Sequence, residues 1–358
     1  MERKIAVICD YKLLPSRVGG MDYFYWEFDK KCKANNIQVD WFFPNINDHG
    51  EYQQLEIFHP KNNQSLTAFV LKRLQHSEKK YTHVITHFVE LCTSFFCDLK
   101  KMTKAQIITV DHNPRPLKGY PIKKRIKKRL KGWLYSKCID HFIGVSQYTV
   151  NQILKDFGSS LSNKVSVIYN GVIINDIHVQ TKRKTKIPGF LVASHLRESK
   201  GIQDLIEAVN LLPESIKTNL QIDIYGEGPY RERLIDKVKK KNLEQVFQFK
   251  GSVSNLNEVY CKYDYLLLPS HMECFSLAIL ESLAANVPVI ASNIGGNEEA
   301  ITHDQNGYVF RAQNINELSQ LIEEVYIGNK RITINTRTEI EKQYSLDKMV
   351  NEHYKLLK

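Results

Sequence analysis

The sequence predicts an α/β protein built from two doubly wound domains in series. Three observations carry this. Short Val/Ile/Phe-rich runs alternate with amphipathic runs of helical length along the whole chain; the pattern breaks once, at a polar, basic stretch over 174–188; and 358 residues exceed what one ordinary core holds. The apolar runs are continuous rather than alternating, as in parallel strands buried on both faces, and their regular succession with helices indicates βαβ units.

In order, strands are expected at Ile5–Cys9, Val39–Phe43, His83–His87, Ala105–Val110, Ile139–Val145 and Val165–Tyr169, with helices such as Met21–Asn35 and Gln147–Asp156 between them. The stretch INDIHVQTKRKTKIP has no core pattern and ends at Pro188, so one domain is expected over 1–175 and the next over 176–340. The second repeats the scheme, with strands at Phe190–Ser194, Gln221–Tyr225, Phe247–Lys250, Tyr265–Leu268, Pro288–Ala291 and Tyr308–Phe310. Its helices include Ile202–Leu212, Tyr230–Lys241 and Leu277–Ala285.

Composition narrows the class further. Hydrophobic residues make up 42% and charged residues 25%, as in an ordinary globular protein. The longest apolar runs fall far short of the roughly 20 residues a membrane span needs. The opening MERKIAVICD passes directly into a strand-like run without an apolar signal region, which predicts a cytosolic chain. Seven scattered cysteines, with no Cys-x-x-Cys and no metal-ligand spacing, predict reduced core residues. No Asp-x-Asp pair is present.

In open parallel sheets, ligands bind beyond the carboxyl ends of strands, where loops lead into helix N-termini. Three segments of the second half fit. In SHLRESKGI (194–202), His195, Arg197 and Lys200 precede a helix start near Gly201, an arrangement suited to phosphate through charge and free backbone N–H groups. An ordinary basic turn would look the same. In YGEGPYRERL (225–234), Gly226, Glu227 and Gly228 join strand to helix, and glycine there permits a tight turn and a close backbone approach; a plain turn would also read this way. In LLLPSHMECFSLAILESLAANVPVIAS (266–292), Glu273 sits in the loop and Glu281 on the following helix, flanked by Leu277, Leu280, Leu283 and Ala284. A carboxylate so placed needs hydrogen-bond donors, which sugar hydroxyls could supply.

Taken together, the Glu273-x7-Glu281 spacing with Pro288–Ala291 behind it, Lys200-Gly201, the Gly-Glu-Gly-Pro turn, Gly295-Gly296 with Glu298 and Glu299, and Asn306-Gly307 resemble glycosyltransferase family 4. Gly19-Gly20, Ser146 and Asn170-Gly171-Val172 extend the likeness through the first half. The resemblance implies a GT-B fold: two Rossmann-like domains facing a central cleft that closes during turnover, with residues 341–358 crossing back onto the first. It further implies a retaining, metal-independent enzyme that moves a hexose-type sugar from a UDP- or GDP-sugar, by front-face displacement. On this likeness Glu281 binds the ribose hydroxyls and Glu273 the sugar. Backbone around Cys274, Phe275, Ser276 and Leu277 faces the diphosphate, and Lys200 neutralises the leaving group. Gly19 and Gly20 approach the donor phosphates, and His112, in TVDHNPRP, lines the reaction centre, although a histidine after a strand can equally be structural.

Three departures stand out. His195 occupies the place of the family's usual arginine, exchanging a permanent charge for one that titrates near ~6.5 in free histidine. Cys274 and Ser276 replace glycines, and Met21-Asp22 follows Gly20 where a small residue and Glu are commoner.

The net charge of +11 is uneven. Residues 1–175 hold 27 Lys and Arg against 15 Asp and Glu, a balance of +12, whereas 176–358 hold 23 against 24, a balance of −1. Within 121–137, PIKKRIKKRLKGWLYSK, eight Lys and Arg surround an apolar stripe of Ile122, Ile126, Leu130, Trp133 and Leu134. Such a helix suits an anionic membrane surface, and hence a lipid-linked or membrane-bound glycan acceptor; a core-facing helix with a solvated basic face has the same pattern. The resemblance to enzymes with basic first domains implies a role in cell-surface polysaccharide synthesis. No nucleic-acid-binding pattern accompanies it. The competing readings are a non-catalytic membrane-surface subunit with this fold, a GT-B epimerase or phosphorylase, and a nicotinamide dehydrogenase, which the missing Gly-x-Gly-x-x-Gly after strand one argues against.

Overall fold

The computed structural model describes residues 3–15, 18–61, 64–75, 80–181 and 187–358. The chain divides into two units: Met1–Pro114, Lys118–Asn170 and Leu346–Lys358 form the first, Arg115–Leu117 and Gly171–Ser345 the second. Part of the expected seam, residues 182–186, lies outside the described residues.

Unit 1 contains β1 (Arg3–Cys9), β2 (Ile37–Phe42), β3 (Glu56–Phe58), β4 (His83–His87), β5 (Gln106–Asp111), β6 (His141–Gly144) and β7 (Val165–Val167). Its helices are α1 (Gly20–Lys33), α2 (Leu66–Gln75), α3 (Ser94–Thr103), α4 (Ile122–Tyr135) and α5 (Gln147–Phe157). The strands pair in the order β3-β2-β1-β4-β5-β6-β7, every ladder parallel. The strand order therefore reverses between β1 and β4, where their carboxyl ends open a crevice. The three-residue edge strand β3 has no counterpart among the expected strands, because Glu-Ile-Phe is too short to show a period.

Unit 2 contains β8 (Phe190–Ala193), β9 (Ile222–Tyr225), β10 (Phe247–Gly251), β11 (Tyr265–Leu268), β12 (Val289–Ser292) and β13 (Gly307–Phe310). Its helices are α6 (Ile202–Asn210), α7 (Glu214–Lys217), α8 (Arg231–Lys240), α9 (Leu256–Val259), α10 (Leu277–Ala284), α11 (Asn297–Ala300), α12 (Ile315–Tyr326) and α13 (Arg337–Gln343). The order is β10-β9-β8-β11-β12-β13, again all parallel, with the switch between β8 and β11. Val192, Ile224, Leu267 and Ile290 pack with Leu205, Leu234 and Ile322 of α6, α8 and α12 on one face of the sheet. Leu191, Leu266 and Ala291 are equally buried on the other, which explains why these strands read as unbroken apolar runs.

The last helix, α14 (Leu346–Lys355), belongs to unit 1 and packs on α1: the rings of His353 and Phe24 lie 4.6 Å apart. The apolar residues of α14, Leu346, Met349 and Val350, are buried with it.

Two expectations are corrected. Cys97 on α3 and Cys138 in the turn after α4 form a disulfide, with Cα atoms 4.9 Å apart. Their 41-residue separation gives no sequence pattern, and the contact arises only because α3 packs against that turn. Cys9, Cys32, Cys92, Cys261 and Cys274 are free. The core-facing version of α4 is also excluded, since Ile122, Ile126, Leu130, Trp133 and Leu134 are 44–78% exposed. What touches the domain instead is Gly132, whose missing side chain lets the helix lie on the end of α5: a Cβ there would stand 2.1 Å from the Phe157 carbonyl oxygen. Among the described residues no helix is long and apolar enough to cross a membrane.

This crossing generates a test. Gly132→Ala gains about 1 kcal/mol of helix propensity but drives a methyl into backbone, so a net loss of about 1–3 kcal/mol is expected in urea unfolding. A gain in stability would show that α4 does not lie against α5 in this way.

Candidate functional site

In unit 2 the three segments singled out in the sequence all leave strands at or beside the β8/β11 switch. After β8 the chain runs through Ser194–Arg197 and a single 3-10 turn, Glu198–Lys200, into α6. Gly201 joins them with φ +68°, and a Cβ there would lie 1.8 Å from the Pro269 carbonyl oxygen. The Lys200 turn is thus pressed onto the loop after β11. That contact brings Lys200 Nζ to 2.6 Å from Glu273 Oε1, which also accepts a hydrogen bond from Ser270 Oγ at 2.8 Å.

The loop is clamped on both sides. Gly295 has φ +65°, and a side chain there would strike the Glu273 carbonyl at 2.2 Å. Gly296 N–H donates to Cys274 O at 2.9 Å, and Ser292 Oγ donates to Ser270 O at 2.6 Å. His271 adds a tie that the sequence reading did not single out: its Nε2 lies 2.6 Å from Asp204 Oδ2, and its backbone N–H donates to Ser199 O at 2.8 Å. Glu273, Cys274, Phe275 and Ser276 are all buried, and the Phe275 ring packs at 5.3 Å from that of Tyr344.

The glycine turn after β9 has a structural purpose. A Cβ at Gly226 or Gly228 would fall 1.9 Å from Ser194 O or 2.3 Å from Leu196 O. Leu196 N–H donates to Glu227 O, and Tyr230 N–H donates to Leu196 O. The close backbone approach therefore serves the His195–Arg197 loop. His195 and Arg197 are exposed on that loop, and Lys200 is half-buried.

Glu281 lies on α10, whose N-cap is Ser276 and whose first residue is Leu277. It is partly buried, and its Oε2 accepts a hydrogen bond from the fully buried Tyr260 hydroxyl at 2.8 Å. Burial raises its carboxyl to about 7, while the Tyr260 bond acts the other way. The sequence placed Glu281 beside apolar neighbours; Tyr260, 21 residues earlier, could not be paired with it by spacing.

In unit 1, Gly19 caps α1, and its N–H donates to the Asp22 carboxylate at 3.0 Å. Asp22 is fully buried and also accepts from Tyr52 at 2.6 Å and Tyr11 at 3.1 Å. Asp22 thus does the capping that the commoner glutamate would do. Gly19 itself is extended, and a Cβ there would meet nothing within 4 Å, so neither conformation nor packing calls for glycine. Gly20 is the first residue of the helix.

His112 follows β5. Its Nε2 lies 3.0 Å from His87 Nδ1 at the end of β4, and Phe88 stacks on its ring at 4.2 Å. His353 stacks on His87 with ring centroids 5.9 Å apart. Burial, reinforced by the charge that His353 would carry, pushes His112 down to about 3; burial also pushes His353 down to about 4. All three are therefore neutral near pH 7. Neither His87 nor His353 was singled out in the sequence, although the adjacency of β4 and β5 would have suggested the first. Among the described residues no group of three or more His, Cys, Asp and Glu is placed to hold a metal ion.

Glu281 provides a measurable signature. Its folded-state value lies above the ordinary 4.5, so the protonated form favours the fold. That contribution is complete below the ordinary value and is lost as pH rises through about 7, with an upper bound of about 3 kcal/mol. Urea unfolding of the free protein across this window should lose stability more steeply than in Glu281→Gln; equal slopes would remove Glu281 as the source.

Comparison with known proteins gives two family models. "Glycosyl transferases group 1" matches residues 174–343 and "Glycosyltransferase Family 4" matches residues 18–176. An uncharacterized glycosyltransferase of Methanocaldococcus jannaschii is 28% identical over 225 residues, 57% of each chain. The glycogen synthase of Mycobacterium tuberculosis is 30% identical over 201 residues, 55% of this chain and 47% of that one. The chain spans about half the length of these relatives. Among solved structures, Anabaena Alr3699/HepE in complex with UDP and glucose superposes with a TM-score of 0.74 at 17% identity, covering 98% of both chains. The sucrose-phosphate synthase of Thermosynechococcus elongatus superposes at 0.77 and 18% identity, covering 99% of this chain and 98% of that one. These likenesses establish the fold, two Rossmann-like units of the GT-B type. With the two family models together spanning residues 18–343, the chain belongs to the group 1 / family 4 glycosyltransferases.

Proposed function

We propose that the protein is a retaining glycosyltransferase that moves a hexose-type sugar from a nucleoside diphosphate to a glycan or lipid-linked acceptor in cell-surface polysaccharide synthesis. The observation that carries the reading is the Lys200–Glu273 pair at the β8/β11 switch, with Glu281 on the helix that follows. An anionic leaving group and a hydroxyl-bearing sugar need this combination: a cation, a carboxylate and helix-start N–H groups converging beyond strand ends. The Anabaena structures hold UDP, or UDP-glucose, on the same fold.

In this reading unit 2 takes the donor. Glu281, ionised, accepts from the ribose hydroxyls, and Glu273 accepts from hydroxyls of the sugar. Backbone N–H groups at Phe275, Ser276 and Leu277 face the diphosphate, as the first N–H groups of a helix have no carbonyl of their own helix to bond. Lys200, with Arg197 and His195 on the same loop, neutralises charge as the bond from the anomeric carbon to the diphosphate oxygen breaks. Fixed positive charge where negative charge grows is the main catalytic term. The acceptor oxygen attacks the same face of the sugar, and its proton leaves on the departing phosphate oxygen. On the family likeness, Gly19 and Gly20 of unit 1 are assigned to the donor phosphates, and the neutral imidazole of His112 to hydrogen bonding with the sugar. The reaction is metal-independent.

Thermal unfolding with UDP, GDP, ADP and their sugars, without added metal, tests this. A nucleotide at about 100 times its Kd should add roughly 2.7 kcal/mol of stability. The gain should vanish in Glu281→Ala. It should grow as pH rises through about 7, because only the ionised carboxylate accepts from both ribose hydroxyls. No gain with any nucleotide would favour a non-catalytic member of the family.

A further inference from the structure

Helix α4 is attached to unit 1 by its polar side. Lys128 Nζ lies 2.9 Å from Asp156 and over the Tyr120 and Phe157 rings at 4.6 and 5.0 Å. Lys131 meets Glu90 at 2.6 Å, Lys124 lies over Tyr120 at 4.1 Å, and Gly132 rests on the Phe157 backbone. At ~100° per residue these positions lie across the helix from Ile122, Ile126, Leu130 and Trp133. The apolar stripe is therefore turned outward, with Ile122 63% and Trp133 78% exposed. Exposed cations border it on both sides, Arg125 and Arg129 along one edge and Lys123 and Lys127 along the other. No acidic residue occurs from 121 to 137.

We propose that the outward face of α4 is a docking surface for an anionic lipid bilayer, with the helix lying in the headgroup plane. The 14-residue helix is about 21 Å long and lacks the apolar length to cross, so it can only lie along the surface. The apolar stripe enters the acyl boundary while Lys and Arg extend their stems to lipid phosphates. The charge pattern selects this occupant over others. Two copies meeting through α4 would set like charges against each other around the contact, and protein interface cores are depleted in lysine. Nucleic acid would use the cations but leave the aliphatic stripe in water. Lipid satisfies both. The surplus of positive charge in residues 1–175 extends the attraction beyond the helix. This inference stands apart from the donor reading, since α4 holds none of the residues assigned to the donor.

The helix carries its own reporter. Trp26 and Trp41 are 6% and 0% exposed, which leaves Trp133 as the tryptophan that changes environment on docking. The full chain is mixed at low ionic strength with vesicles of phosphatidylcholine, with or without phosphatidylglycerol. It should sediment with the anionic vesicles only, with a blue shift in tryptophan emission. The double variant Ile126→Ser/Trp133→Ser should lower partitioning about tenfold or more, and Lys123→Gln and Lys127→Gln roughly fivefold each. The nucleotide-induced thermal shift should be unchanged in all these variants, which checks folding and separates this inference from the donor reading. Three results would overturn it: no sedimentation with anionic vesicles, sedimentation indifferent to Ile126→Ser/Trp133→Ser, or a change of oligomeric state by that variant without vesicles. The last would assign the stripe to a second copy.

Discussion

The arrangement at the β8/β11 switch depends on one steric constraint, the contact between the Gly201 Cα and the Pro269 carbonyl. No side chain fits at 201, and its positive φ turns the chain from the Lys200 turn directly into α6. Because β8 and β11 are hydrogen-bonded neighbours whose helices leave in opposite directions, the loops after them must pass each other at the switch. Glycine lets them touch, and the touch places a lysine from one loop on a carboxylate from the other. Gly295 repeats the device from the β12 side, and Gly226 and Gly228 from the β9 side. Four glycines thus hold four loops against one another through backbone contact. The polar side chains borne by those loops, Lys200 and Glu273 above all, are thereby set against one another.

Electrostatics divides the two units differently. In unit 2 the Lys200 charge is compensated by Glu273, His271 is hydrogen-bonded to Asp204, and Glu281 accepts from one tyrosine hydroxyl. A carboxyl held near 7 is poised, since a pair of hydroxyl donors can supply what Tyr260 alone does not. In unit 1 the ends of β4 and β5 and helix α14 bring together His87, His112 and His353, which burial keeps neutral. Neutral imidazoles can donate or accept a hydrogen bond without adding a charge of their own.

Much of this was legible in the sequence, for identifiable reasons. Tyr265–Leu268 emerges with the expected limits because burial on both faces makes it an unbroken apolar run between Asp264 and Pro269, and His83–His87 does so around its buried β-branched centre. Glu273 and Lys200 stood out as candidates because strand ends in this topology collect ligands, and the structure sets the two side chains 2.6 Å apart. What was hidden shares one property, dependence on a partner distant in sequence. Cys97 finds Cys138, Glu281 finds Tyr260, and His87 finds His112 and His353 only after the sheets are assembled. Gly226 and Gly228 were read as letting backbone approach a ligand; what they let approach in this structure is the neighbouring Ser194 and Leu196 carbonyls, which local pattern does not reveal.

Helix α4 marks the limit of periodicity as a guide. An apolar stripe at helical spacing states that one face avoids water, not what covers it. In α6 and α12 the covering surface is the sheet beneath, and the stripe marks the inner face. In α4 the inner face is set instead by Gly132, the one position where α5 can approach, and by Lys128 and Lys131 reaching fixed carboxylates. Rotating the stripe inward would bring Ile126 and Trp133 against α5, but would push Gly132 outward and strip Asp156 of its cation. Gly132 and Asp156 therefore choose the orientation, and the exposed stripe follows from them. An amphipathic helix held by its polar side is costly in water alone, so the surface it turns outward is best understood by what the surroundings of the folded protein can supply.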